Sequence, residues 1–176
     1  MLLTATLSLL LMQQAPAENV DWDAEFGVEE VERDLATGEI PVEPYEQNNE
    51  NAGAKPFTGD DMAETFGGRD GIRQIAERFV EINFADPRIQ GIFAGHDEVR
   101  LRRTIFEQFC YILNAGCDYT GRDMKSSHEG LGSRKADLNA IVENLQQAMR
   151  EQDVPFAAQN RFLSKLAPMS RDVINR

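Results

Sequence analysis

Nowhere in these 176 residues is there a dense basic face, an alternating strand pattern or an apolar run long enough to cross a bilayer. The first absence removes nucleic acid as a partner, because a phosphate backbone demands clustered Lys and Arg. The second leaves an all-α domain. The third leaves no stable membrane span in the mature chain: a spanning helix needs roughly 20 apolar residues, and the stretch from Leu2 to Met12 is well short of that. Cysteine and histidine are scarce as well, with Cys110, Cys117, His96 and His128 the only examples.

What is present divides the chain. Leu2 to Met12 is apolar or hydroxylated and runs into Gln13-Gln14-Ala15-Pro16-Ala17, where the small residues Ala15 and Ala17 match a signal-peptide cleavage site. Residues 1–17 read as a signal peptide, although no Lys or Arg precedes the apolar run; export, to a bacterial periplasm, is the expectation. No cysteine follows to carry a lipid. Glu18 to Pro56 holds 12 Asp or Glu against Arg33 and Lys55, whereas the rest of the chain is nearly balanced. With Pro41, Pro44, Pro56 and the Asn-rich stretch Asn48 to Gly53, residues 18–56 read as an acidic, flexible leader. An alternative is a short docking helix through Trp22, Phe26, Val28, Val31 and Leu35. The folded domain is expected over 57–176, and 41% apolar content is ordinary for one core.

Helical periodicity fills that domain. Thr58 and Asp61 have capping spacing for a brief helix that stops at Gly67-Gly68. Ile72, Ile75, Ala76, Phe79, Ile82 and Phe84 keep the 3.6 period up to Asp86-Pro87. Ile89, Ile92 and Phe93 make an apolar corner, after which Asp97 caps a helix with the stripe Leu101, Ile105, Phe109 and Ile112. Ser133 is a candidate cap for a helix bearing Leu138, Ile141, Val142, Leu145, Ala148 and Met149, and Pro155 opens a last main helix with Phe156, Phe162, Leu163 and Leu166. Cys110 and Cys117 stand seven apart across a helix end; in an oxidising compartment they are disulfide candidates that would pin that end to the segment leading to His128.

His128 lies in a segment with glycines at 121, 130 and 132, so its imidazole can be aimed into a neighbouring pocket. Read alone, such a histidine is a surface or cap residue. The wider pattern adds to that. Phe66-Gly67-Gly68, Phe79, Ala85-Asp86-Pro87-Arg88-Ile89, Ile92-Phe93, Leu101, Tyr119-Thr120-Gly121-Arg122-Asp123-Met124-Lys125 with His128 three residues on, Val154-Pro155 and Leu166-Ala167-Pro168 together resemble the truncated haemoglobins of the first group, from about Phe57 to Asn175. The resemblance implies a 2-on-2 globin sandwich holding haem b, with His128 as the proximal iron ligand, since one neutral imidazole suffices when the porphyrin supplies the other four ligands. It places Phe93 against the porphyrin and makes Phe79, Val80, Leu101, Ile105, Phe109, Met124, Leu131, Leu138 and Ile141 the candidate cofactor wall. Arg122 and Lys125 are the candidate cations for the haem carboxylates.

The departures from the family bear on function. Many members carry a tyrosine at the position of Val80 and a glutamine at that of Ile105, which donate hydrogen bonds to bound gas. Losing such a donor in a dry pocket forfeits about 1.5–3 kcal/mol, or one to two decades in affinity. Gln108, one turn beyond Ile105, and His96 are the polar residues placed to compensate. The leading expectation is reversible binding of a diatomic gas, O2, NO or CO, for oxygen transport or nitric-oxide-related sensing, with an electron donor keeping iron ferrous. A haem-dependent nitric oxide dioxygenase or peroxidase-like enzyme is the second reading, weakened by the lack of a distal acid-base residue. A helical interaction module without haem is the third.

Overall fold

The structure is a computed structural model and describes residues 31–176. The expected signal peptide and residues Trp22, Phe26 and Val28 lie outside the described residues. Arg33–Arg176 forms one compact unit, and its regular elements are all helical, with no strand among the described residues. In chain order they are α1 (Asp61–Thr65), α2 (Gly68–Ala85), α3 (Gln90–Phe93), α4 (Glu98–Ile112), α5 (Met124–His128), α6 (Lys135–Glu151), α7 (Phe156–Leu166) and α8 (Ser170–Val173), with single 3₁₀ turns at Asn49–Ala52 and Ala167–Met169.

The long helix α2 packs against both α4 and α6, and α6 in turn meets α7. The stripe read from the sequence causes this: Ile72, Ile75, Ala76 and Phe79 are all buried on one side of α2, where removing apolar surface from water favours contact with the equally apolar faces of α4 and α6. Phe162 of α7 is the centre of the core. Its ring meets Phe66 edge-on at 5.4 Å and Phe109 edge-on at 5.1 Å, and complete burial of such a side chain stabilises by roughly 1.5–3 kcal/mol. Phe156, placed on the same stripe by the sequence, is 70% exposed instead, at the first residue of α7.

Helix ends follow local chemistry with some shifts. Asp97 caps α4, its carboxylate accepting from the Val99 N–H. Thr58 does not cap α1, which starts after Asp60 without a side-chain cap. Nor does Ser133 cap α6. The cap residue there is Arg134, whose N–H donates to the Asp137 carboxylate at 2.8 Å, while Ser133 is buried and its carbonyl accepts from the N–H groups of Asn175 and Arg176. Between α1 and α2, Gly67 has φ 78°, and a Cβ on Gly71 would stand 2.2 Å from the Phe66 carbonyl oxygen, so the tight corner excludes side chains at both positions.

The expectation of a flexible leader is revised over residues 33–56. Glu39 is 6% exposed and receives Arg103 Nε at 2.5 Å and Arg100 Nη1 at 3.3 Å, both from α4. Asp97 accepts from Arg33 Nη1 and from the Ile40 N–H, each at 2.8 Å. Leu35, part of the proposed docking stripe, is fully exposed, whereas Ala52 is fully buried, so charge pairing holds the Glu39 end of this segment and apolar contact the Ala52 end.

Candidate functional site

His128 ends the short helix α5, and several layers of hydrogen bonding set its position. Asp123 starts α5 by accepting from the Ser126 N–H at 3.0 Å, and the Ser126 hydroxyl, followed by this backbone bond, holds its carboxyl below the usual range. Upstream, the buried Tyr119 hydroxyl donates to the Arg122 carbonyl at 2.9 Å. Its ring leaves no room beside Gly121, where a Cβ would come within 2.2 Å of the phenol oxygen. The leader grips the same segment. Tyr45 donates to the Thr120 carbonyl, Asn49 accepts from the Tyr119 N–H at 2.7 Å, and Asn51 donates to the Gly121 carbonyl. Downstream, Asn175 Nδ2 donates to the His128 carbonyl at 2.6 Å.

The imidazole itself is oriented. His128 Nδ1 lies 2.6 Å from the Met124 carbonyl oxygen. A carbonyl only accepts, so Nδ1 carries the proton and Nε2 is left with its lone pair. That is the tautomer and orientation a metal-binding imidazole requires, with a backbone carbonyl as its outer partner.

His128 opens on a cavity of about 720 Å³, within the range of roughly 300–1,000 Å³ usual for cofactor sites. Of the candidate wall residues, Phe79, Phe93, Leu101, Ile105, Phe109, Met124, Leu138 and Ile141 line it together with His128. Leu131 lines an adjoining hollow shared by Phe93, Ile105, Met124 and His128. His96, exposed at the corner, also borders that hollow. Two candidates fall elsewhere. Val80 is completely buried in α2 away from both spaces, because Phe79 and, one turn on, Asn83 take the side facing the void. Lys125 is exposed and off the wall, and Arg122 is engaged by the leader, donating to the Glu43 carbonyl and lying over the Tyr45 ring. The cation at the cavity is Lys135, the first residue of α6.

The cavity also has a wall that the sequence reading assigned only to core or left out: Leu163 and Leu166 of α7, Met169, and Val173 and Ile174 at the chain end. The periodic Leu163 and Leu166 were the available signal. Gln108 lines the cavity, but its Nε2 donates to the Ala52 carbonyl at 2.9 Å. Its amide is thereby tied to the leader. Cys110 and Cys117 sit 5.6 Å apart at Cα with their sulfurs paired, a separation suited to a disulfide. Among the described residues no cluster of three or more His, Cys, Asp or Glu forms a protein-only metal site, and no helix is long and apolar enough to cross a membrane.

A large apolar void with one preset imidazole fits a flat macrocycle that brings its own metal, with Lys135 near for an acidic edge. Comparison with known proteins points the same way. A family model described as bacterial-like globin matches residues 61–175. The chain is similar to the group 1 truncated hemoglobin GlbN of Mycolicibacterium paratuberculosis, 26% identical over 110 residues covering 62% of this chain and 81% of that one. It is also similar to the protein of the same name from Nostoc commune, 24% identical over 65% of this chain and 98% of the other. In fold it matches the crystal structure of truncated hemoglobin from Tetrahymena pyriformis in the Fe(III) form, with a TM-score of 0.62, 22% identity, and coverage of 65% of this chain and 98% of that one.

Proposed function

This chain belongs to the bacterial-like globin family, and from that premise we propose that it binds haem b in the cavity beside His128 and uses it to bind a diatomic gas reversibly. Haem, when bound, supplies the iron centre at which such a gas is held. The observation that carries the reading is the His128 imidazole: it borders the cavity with its proton fixed on Nδ1 by the Met124 carbonyl, which leaves Nε2 to serve as the proximal ligand.

The other residues bind and shield. Phe79, Phe93, Ile105, Phe109 and Ile141 supply apolar contact, worth roughly 25 cal/mol for each Å² withdrawn from water. Lys135, at the cavity, would pair with a propionate. The apolar walls would keep water from the bound ligand, and an external electron donor would be needed only to keep the iron ferrous. Neither Val80 nor Ile105 offers a donor, so O2 is released faster than from a site with Tyr and Gln there, while CO, less dependent on such donors, is affected less. We further propose export of the chain to an oxidising compartment, supported by the small-x-small pattern at Ala15 and Ala17 and by the paired Cys110 and Cys117. Oxygen transport or nitric-oxide-related sensing fits this site better than peroxide chemistry, which needs a distal acid-base group.

The test is a haem titration of the purified full chain. One equivalent should bind with an intense Soret band, and His128→Ala should weaken uptake or shift the band. A folded protein whose spectrum with added haem remains that of free haem refutes the proposal.

A further inference from the structure

We propose that Asn83 is a specificity-determining residue of the cavity, donating from its amide nitrogen to a ligand whose terminal oxygen carries partial negative charge; this rests on the haem reading above. Asn83 is 1% exposed, sits in α2 one turn beyond Phe79, and lines the cavity. A chain of hydrogen bonds settles which way its amide points. Arg88 holds the Asp86 carboxylate with Nε at 3.0 Å from Oδ1 and Nη2 at 2.7 Å from Oδ2. A carboxylate gripped in this way is ionised and only accepts, so the Asn144 atom 3.0 Å from Asp86 Oδ2 must be Nδ2. That same nitrogen lies 2.9 Å from Asn83, so the Asn83 atom it meets must be the acceptor Oδ1.

The consequence is that Asn83 Nδ2 faces the other way. It has no hydrogen-bond partner among the described residues, yet it is not sealed within protein, and Asn83 borders the void. An N–H pair that opens on the cavity is available to an acceptor held there. Asp86, Arg88 and Asn144 are positioning residues: they fix the amide and touch no ligand. Asn83 thus offers the donor that Val80 and Ile105 do not, from a different turn of α2, and it favours O2 over CO because only the former develops charge worth a hydrogen bond.

The experiment uses the full chain, loaded with haem and reduced, and compares Asn83→Leu with the smaller Asn83→Ala. Neither replacement offers the cavity a donor. Both variants should release O2 roughly 10- to 100-fold faster than the parent in stopped flow, should bind CO at the parent's rate, and should show a displaced C–O stretching band in the infrared spectrum of the carbonyl adduct. Should the leucine variant fail to fold, the alanine variant decides. Parent-like O2 release and an unmoved carbonyl band, in variants with a normal Soret band, overturn the role of Asn83 while leaving haem binding intact. A parent protein with no Soret band overturns both.

Discussion

Replacing Glu39 by alanine tests whether the acidic leader is part of the folded body. In the structure its side chain is 8% exposed, and its carboxylate meets Arg103 Nε at 2.5 Å and Arg100 Nη1 at 3.3 Å. The bond to Glu39 is the main reason the Arg103 guanidinium is held above its ordinary pKa. Removing one partner of a buried ion pair costs roughly 3–5 kcal/mol, but two features lower the figure here. Arg103 keeps Glu107 at 3.0 Å, and the Arg103 and Arg100 side chains remain 32% and 23% exposed, so water partly replaces the lost carboxylate. A loss of about 2 kcal/mol follows, seen as a fall of roughly 6–8 °C in thermal midpoint for a domain of this size. Urea unfolding at constant m-value gives the same quantity independently. Since the leader also grips Tyr119, Thr120 and Gly121, haem should dissociate faster from the variant. A change of less than about 0.5 kcal/mol, the range of ordinary surface substitutions, would refute the claim that Glu39 fastens the leader.

Two further outcomes are expected. The Asp86 carboxyl lies well below its usual pKa, chiefly because Arg88 hydrogen-bonds it. A depressed folded value means its contribution is complete above the unfolded pKa of about 4 and is lost as pH falls from there toward the folded value. Acid titration of stability should therefore be shallower below about pH 4 for Asp86→Asn than for the parent, and identical slopes would contradict this. Reducing the Cys110–Cys117 pair, whose sequence separation is 7, or replacing Cys117 by serine, should lower stability by about 2 kcal/mol, as the entropy of so small a loop requires. Denaturant melts with and without reductant check it, and coincident curves would show that no bridge stabilises the native chain.

The helical frame was legible because it is written locally. The stripe from Ile72 to Phe79, the Asp97 cap and the break at Asp86-Pro87 each depend on neighbours a few residues away, and the structure has all of them. The resemblance and the glycine-flanked setting pointed to His128 as a residue aimed into a pocket, and it does border the cavity, although it ends a short helix rather than lying in a loop. What escaped depends on distant pairs. Glu39 is 64 residues from Arg103, so nothing near it in the sequence marks it as buried, and its acidic surroundings read as a solvated tail. Asn83 sits 61 residues from Asn144 and interrupts an apolar stripe, where a polar residue reads as a position turned to solvent. Lys125 is nearer to His128 in sequence, but the opening of α6 brings Lys135 to the cavity while Lys125 is exposed on α5. Val80 illustrates the converse: a family position identifies a site, whereas the helix phase decides which of two adjacent side chains reaches it.

The central claim, that His128 holds the haem iron, has a direct measure in the iron–imidazole stretching band of the ferrous protein by resonance Raman spectroscopy. With only His96 and His128 in the chain, the account predicts a band that shifts on labelling histidine with ¹⁵N, survives His96→Ala and disappears in His128→Ala. A band that persists without His128, or that vanishes with His96, would contradict it.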